Sequence, residues 1–307
     1  MPETYPSRDF IGYGTQPPIC HWPNGATLAV SIGINYEEGA ENFLPDNGLR
    51  ESVGEVGSSV GADQRDVWNE SFFEYGSRVG VWRLLRLMAK YEIPATFFLS
   101  ALAGERNPAV AAAIVKEGHE ASGHGYRWRE YHELTAEERR EDIRRCVESI
   151  GRLTGETPVG WLNRYAPTPD TRALLMEAGN FLYDNNAYND DIPYYSLVGT
   201  ARTPFLVLPY SMELNDARAW RGAMLSPTEY EDFLCRAFDQ LYADSMEVAP
   251  RMMSVGLHCR ISGTPGRTSA VENFLRHAQG HDGVWFARRD QIARWWLEKM
   301  PPPLSES

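Results

Sequence analysis

Apolar and polar positions alternate along this chain in blocks of two kinds. Residues 28–34 are apolar or small, and their Val and Ile favour a pleated, buried backbone. Similar short runs lie at 95–100, 158–162, 181–184, 205–208, 252–257 and 284–286. Between them the period lengthens. From Ser77, the residues Val81, Leu84, Leu85 and Met88 recur at helical spacing, and the pattern stops before Pro94. Pro108 opens a helix that Gly118 closes. Thr135-Ala136-Glu137-Glu138 is a capping box that starts a charged helix ending at Gly155. Further helices are predicted over 171–178, 227–243, 268–280 and 288–299, the third-last of these behind Ser226 and Pro227. Strand and helix thus alternate about seven or eight times, which implies parallel strands joined by crossover helices.

Two segments break the alternation. Residues 1–26 are rich in Pro, Gly and aromatics, and Tyr5, Phe10, Ile11, Tyr13 and Trp22 call for burial partners, so an ordered but irregular arm is predicted. Residues 40–70 are polar, glycine-containing and without clear period, and follow the first strand directly. Long loops of this kind serve as lids, binding loops or assembly surfaces.

Composition narrows the class. The 307 residues suffice for one large barrel. A net charge of −12 argues against nucleic-acid binding. Cys20, Cys146, Cys235 and Cys259 are scattered, so neither a zinc finger nor a disulfide framework is suggested, and reduced thiols in a cytoplasm are expected. The N-terminus lacks the pattern of a signal peptide, and no apolar run approaches the roughly 20 residues of a membrane helix. The arginines 139, 140, 144 and 145 alternate with acids and read as a solvated helix face. No GxGxxG follows the first strand, and neither a P-loop nor a GxSxG elbow occurs.

Candidate chemistry gathers after the strands. The first strand runs into Glu37-Glu38-Gly39, His124 follows a short segment of small residues, Arg164 follows the run at 158–162, and His258 closes the run at 252–257. In a parallel fold such positions meet at one rim. Adjacent carboxylates raise each other's pKa, which would help one of them act as a base.

Asn35-Tyr36-Glu37-Glu38-Gly39 and His124-x-x-x-Trp128 resemble the first two motifs of the polysaccharide deacetylase (NodB-homology) superfamily, Thr-Phe-Asp-Asp-Gly and His-x-x-x-His. Both Asp are replaced by Glu, and the last His by Trp128. That pattern is similar to the metal-independent, allantoinase-like branch. The similarity extends through Asp9-Phe10-Ile11-Gly12-Tyr13-Gly14, Glu74-Tyr75-Gly76-Ser77-Arg78, Leu257-His258-Cys259-Arg260 and Val284-Trp285-Phe286-Ala287-Arg288-Arg289. The resemblance implies a distorted (β/α) barrel spanning 1–307, with the 1–26 arm and the 40–70 insertion covering its rim. It implies Glu37 as general base and His258 as general acid. It places Glu38, His124, Trp128 and Arg164 against the substrate, Trp128 as a flat wall. No metal or other cofactor is expected, because an indole N–H has no lone pair for a cation and two protein ligands are too few for a catalytic zinc. The activity implied is hydrolysis of a small cyclic amide such as allantoin, another hydantoin or an imide, by a cytoplasmic homo-oligomer, tetramer or dimer. The alternatives are a metal-dependent N-deacetylase of a glycan or small N-acetyl compound, and an inactive barrel serving only in binding.

Overall fold

The computed structural model describes residues 8–51, 60–220 and 226–302. Among these residues nine strands form one sheet: β1 Leu28–Tyr36, β2 Ala95–Leu99, β3 Glu120–Gly123, β4 Gly160–Trp161, β5 Tyr183–Asp184, β6 Tyr194–Val198, β7 Thr203–Val207, β8 Arg251–His258 and β9 Val284–Phe286. Their order is β6-β7-β5-β4-β3-β2-β1-β8, with β9 also paired to β1. Every pairing is parallel except β6 with β7. Helices follow most of these strands, and the result is an α/β half-barrel of the expected class. β1 is its axis: all nine residues are buried, as a strand covered on both faces requires.

The local signals hold where they rest on caps. Thr135 accepts from the Glu138 amide and Gly155 takes φ +78 at the end of the helix Ala136–Thr154. Ser226 caps the helix Pro227–Glu247 in the same way. Several elements escape the periodicity, among them the short helices Leu44–Asn47, Ala101–Arg106 and Asp216–Trp220 and the two that follow. The helix Val67–Tyr75, capped by Asp66, begins inside the 40–70 insertion, and a wider π turn over Gly76–Gly80 joins it to the helix Val81–Lys90. β6 is a half-buried antiparallel strand at the sheet's edge, with no clean apolar stripe to announce it.

The arm divides in two. Trp22 is buried, its indole N–H donating to the Arg251 carbonyl at 2.8 Å, and it packs on Trp285 and Trp296. Phe10 and Ile11 find no burial: they are 78% and 88% exposed. Tyr5 and residues 52–59 of the insertion lie outside the described residues. The four cysteines are free thiols, and among the described residues no helix is long and apolar enough to cross a membrane.

Two glycines of the π turn let the chain close on the strand ends. A Cβ at Gly76 would meet the Glu38 carboxyl at 2.4 Å, and one at Gly80 would meet the Cys259 carbonyl oxygen at 2.0 Å. The turn therefore locks the residue after Glu37 and the residue after His258 against one helix. Gly80→Ala must push backbone off backbone, and a loss of about 1–3 kcal/mol or more is expected in urea unfolding. Gly151→Ala, in a helix and with open space at its Cβ, is the matched control and should gain about 0.5–1 kcal/mol. Equal midpoints for the two variants would show that the closure at Gly80 is unimportant.

Candidate active site

The strand register sets the site. Asn35 of β1 lies opposite His258 of β8, so Glu37, just past the end of β1, and His258, at the end of β8, project from neighbouring strands. His124 stands one residue beyond β3, held by its amide's bond to the Leu99 carbonyl at 3.1 Å. Arg164 follows β4. These residues, with Trp128, line a cavity of about 570 Å³ whose walls also include Tyr165, Tyr188, Tyr210 and Met212.

Glu37 is the centre. Its Oε1 lies 3.3 Å from His124 Nε2 and 3.5 Å from His258 Nε2, and its Oε2 accepts from Arg260 at 2.6 Å. Burial works to raise its pKa, but Arg260 and His258, aided by these hydrogen bonds, hold it well below the ordinary carboxylate range. His258 Nδ1 meets Asp216 Oδ1 at 2.6 Å, and the His258 amide donates to Asp216 Oδ2 at 2.8 Å. Ser262 donates to the same oxygen at 2.6 Å. Burial lowers the His258 pKa, yet Glu37 and Asp216 outweigh it and raise the imidazole to about 10. At neutral pH the site thus holds a carboxylate beside an imidazolium, each with a dedicated orienting partner. The Leu162 carbonyl can only accept, so His124 Nδ1 donates to it at 2.7 Å, which aims Nε2 at Glu37.

Glu37, His124, Trp128, Arg164 and His258 are brought together at the cavity, but Glu38 is not. Its side chain turns to the other side of the strand end, where Oε1 accepts from the Arg260 amide at 3.0 Å and Oε2 from the Glu37 amide at 3.1 Å. Successive residues of an extended chain face opposite ways, so one of two adjacent carboxylates had to leave the cavity. The pKa expectation is corrected with it. Burial, opposed by Arg260 and reinforced by Glu37, raises Glu38 to about 7, while Glu37 moves the other way. Arg164 lines the cavity with its charge already engaged: both terminal nitrogens donate to Glu51, at 2.7 and 2.8 Å, and one also to the Trp128 carbonyl at 2.8 Å. Its guanidinium lies 3.7 Å from the Trp128 ring centroid, so the wall is an indole–guanidinium stack, not a bare indole. Asp216, Arg260, Tyr210 and Glu51 join the site without being among the sequence candidates. The sequence signal for Arg260 was its place two residues after His258, on the same strand exit. Asp216 reaches His258 because Asn215 bridges to Gly256 of β8, a pairing no local pattern announces.

Comparison with known proteins places this geometry. The family model named Polysaccharide deacetylase matches residues 70–180. A Schizosaccharomyces pombe protein assigned to the polysaccharide deacetylases is 35% identical over 317 residues, covering 97% of this chain and 99% of that one. The chain belongs to the polysaccharide deacetylase family. Among solved structures, a Pseudomonas aeruginosa PAO1 protein assigned to the same family is 43% identical with a TM-score of 0.91, over 96% of this chain and 99% of that one. PuuE allantoinase is 41% identical with a TM-score of 0.90, with the same two coverages.

A metal centre of the polysaccharide deacetylase kind does not fit these residues. Of the three ligand positions, Glu38 is tied to backbone amides away from the cavity, Trp128 offers only an N–H, and His124 alone keeps a donor nitrogen at the site. Among the described residues, the one trio of His, Cys, Asp or Glu with ligand atoms mutually within 4.8 Å lies elsewhere, at Asp239, His277 and His281.

The His258 shift fixes a pH expectation. A raised folded pKa means that the charged pair is intact below the ordinary imidazole range and is lost as pH rises through about 10. The rate, kcat/KM, should therefore fall on the basic side near pH 10. Asp216→Asn removes one of the two carboxylates that hold the proton, so that limb should move to lower pH by about 1–3 units. A limb that stays in place in the folded variant would remove His258 as the titrating group.

Proposed function

We propose that this protein hydrolyses a C–N bond of a small cyclic amide, a five-membered hydantoin or imide ring such as allantoin, by acid–base chemistry of its own side chains. The observation that carries the reading is the Glu37–His258 pair on the wall of a cavity large enough for a small ring, with Asp216 behind the imidazole, in a chain that matches PuuE allantoinase nearly end to end.

In this reading a water bound at Glu37 attacks the ring carbonyl. Glu37 is ionised across the working pH range, and it takes the water's proton as the new C–O bond forms. His258, charged and oriented by Asp216, gives its proton to the ring nitrogen as the C–N bond breaks. The carbonyl oxygen needs donors while it carries negative charge. Tyr210 is one: its hydroxyl oxygen accepts from Asn215 at 3.0 Å and from Asn35 at 3.4 Å, which leaves its own hydrogen free to be donated.

Purified protein should open hydantoins or imides, and release no acetate from N-acetylglucosamine oligomers, with turnover unchanged by a strong chelator. Acetate release that chelation abolishes and zinc restores would favour the metal-dependent deacetylase instead. On the true substrate, Glu37→Gln and His258→Ala should each lower turnover at least about a hundredfold in folded protein. We also propose that the chain assembles as a homo-oligomer, since Phe10, Ile11 and Trp68 stand exposed. Light scattering should give a multiple of 34.7 kDa at micromolar concentration.

A further inference from the structure

Away from the active cavity, the helix Pro227–Glu247 packs beside the helix Pro265–Gln279 on the outside of β8. Three side chains converge there. Asp239 comes from the first helix, His277 from the last turn of the second, and His281 follows just past that helix's end. His277 Nε2 lies 2.6 Å from Asp239 Oδ1, and the two imidazole rings are 4.9 Å apart. One ligand atom from each of the three lies within 4.8 Å of the other two.

We propose that Asp239, His277 and His281 form a surface site for a borderline divalent transition-metal ion such as zinc, bracing two helices and separate from catalysis. Two imidazoles with one carboxylate suit zinc, nickel or copper, whereas magnesium and calcium call for oxygen ligands throughout. The imidazoles are held before any ion arrives. His281 Nδ1 lies 3.0 Å from the His277 carbonyl, and its ring sits 5.0 Å from both Phe238 and Tyr242. The His277 ring packs edge-on against Phe238 at 5.6 Å. Backbone carbonyls and aromatic walls of this kind orient ligating imidazoles elsewhere. The side chains are also accessible: His277 is 35% and Asp239 53% exposed, so an ion can enter from solvent. Ligands sharing one zinc at about 2.0–2.1 Å stand roughly 3.4 Å apart, so small rotations close the trio around an ion that replaces the proton between His277 and Asp239. Three protein ligands leave a fourth position for water.

The test uses the full chain, stripped with chelator and titrated with zinc by calorimetry at neutral pH. One ion per chain is expected, together with a higher Tm. His277→Ala and His281→Ala should each weaken binding at least about tenfold, cancel the rise in Tm and leave turnover unchanged. Cobalt provides a second readout, since tetrahedral ligation gives a visible band that either variant should lose. The proposal is overturned if the wild-type chain binds no zinc, or if the His277→Ala/His281→Ala double variant binds as the wild type does. It is equally overturned if His124→Ala, and not His281→Ala, abolishes binding, because the ion would then belong to the active cavity.

Discussion

A carboxylate fully removed from water is tolerated only with charge and hydrogen bonds around it, and the strand ends of this protein are built to supply them to Glu37. Arg260 neutralises one oxygen, and two imidazoles face the other. The same arginine's backbone amide secures Glu38 on the far side of the strand. Two adjacent acids are thereby separated in role by one residue of chain. The first stays charged and faces the cavity; the second is eased toward neutrality and fastens the exit of β1 to the exit of β8. Remove the guanidinium and Glu37 loses the positive charge at Oε2 and Glu38 a cation at 3.7 Å, while the backbone amides that fasten Glu38 stay in place.

The surrounding elements keep this cluster in place from behind the cavity lining. Gly76 and Gly80 let a helix press against the Glu38 carboxyl and the Cys259 carbonyl. Asp216, held by Ser262 and by the amide of His258, fixes the imidazole ring from the opposite side. Much of the cavity wall comes from loops, while Glu37 and His258 sit on strand ends whose spacing is set by the parallel ladder.

Much of this was legible in the chain because strand ends and helix caps are local signals. The run into Glu37, the closing His258, the His124 position, the capping box at Thr135 and the Ser226–Pro227 helix start each follow from a few consecutive residues. What the sequence hid depends on contacts between distant segments. Nothing near Asp216 shows that the segment 214–216 will lie along β8, and nothing near Glu51 shows that it will reach Arg164. The alternation of faces along an extended chain did contain the reversal of Glu37 and Glu38, since one residue of such a pair must point away. Phe10 and Ile11 show the opposite limit: apolar character predicts a need for cover, but it does not say that the same chain provides it.

The Glu51–Arg164 clamp couples two loops that chain order keeps far apart. Both side chains are almost wholly buried, so loss of either partner strands the other's charge in the protein interior. Drift in the segment after β1 is thus constrained by the segment after β4, and a shape change in one is tolerated only with a matching change in the other. Changes around Arg164 in this family member would accordingly come in paired steps, one in each loop, while Glu37 and His258 on the neighbouring strand ends remain where they are.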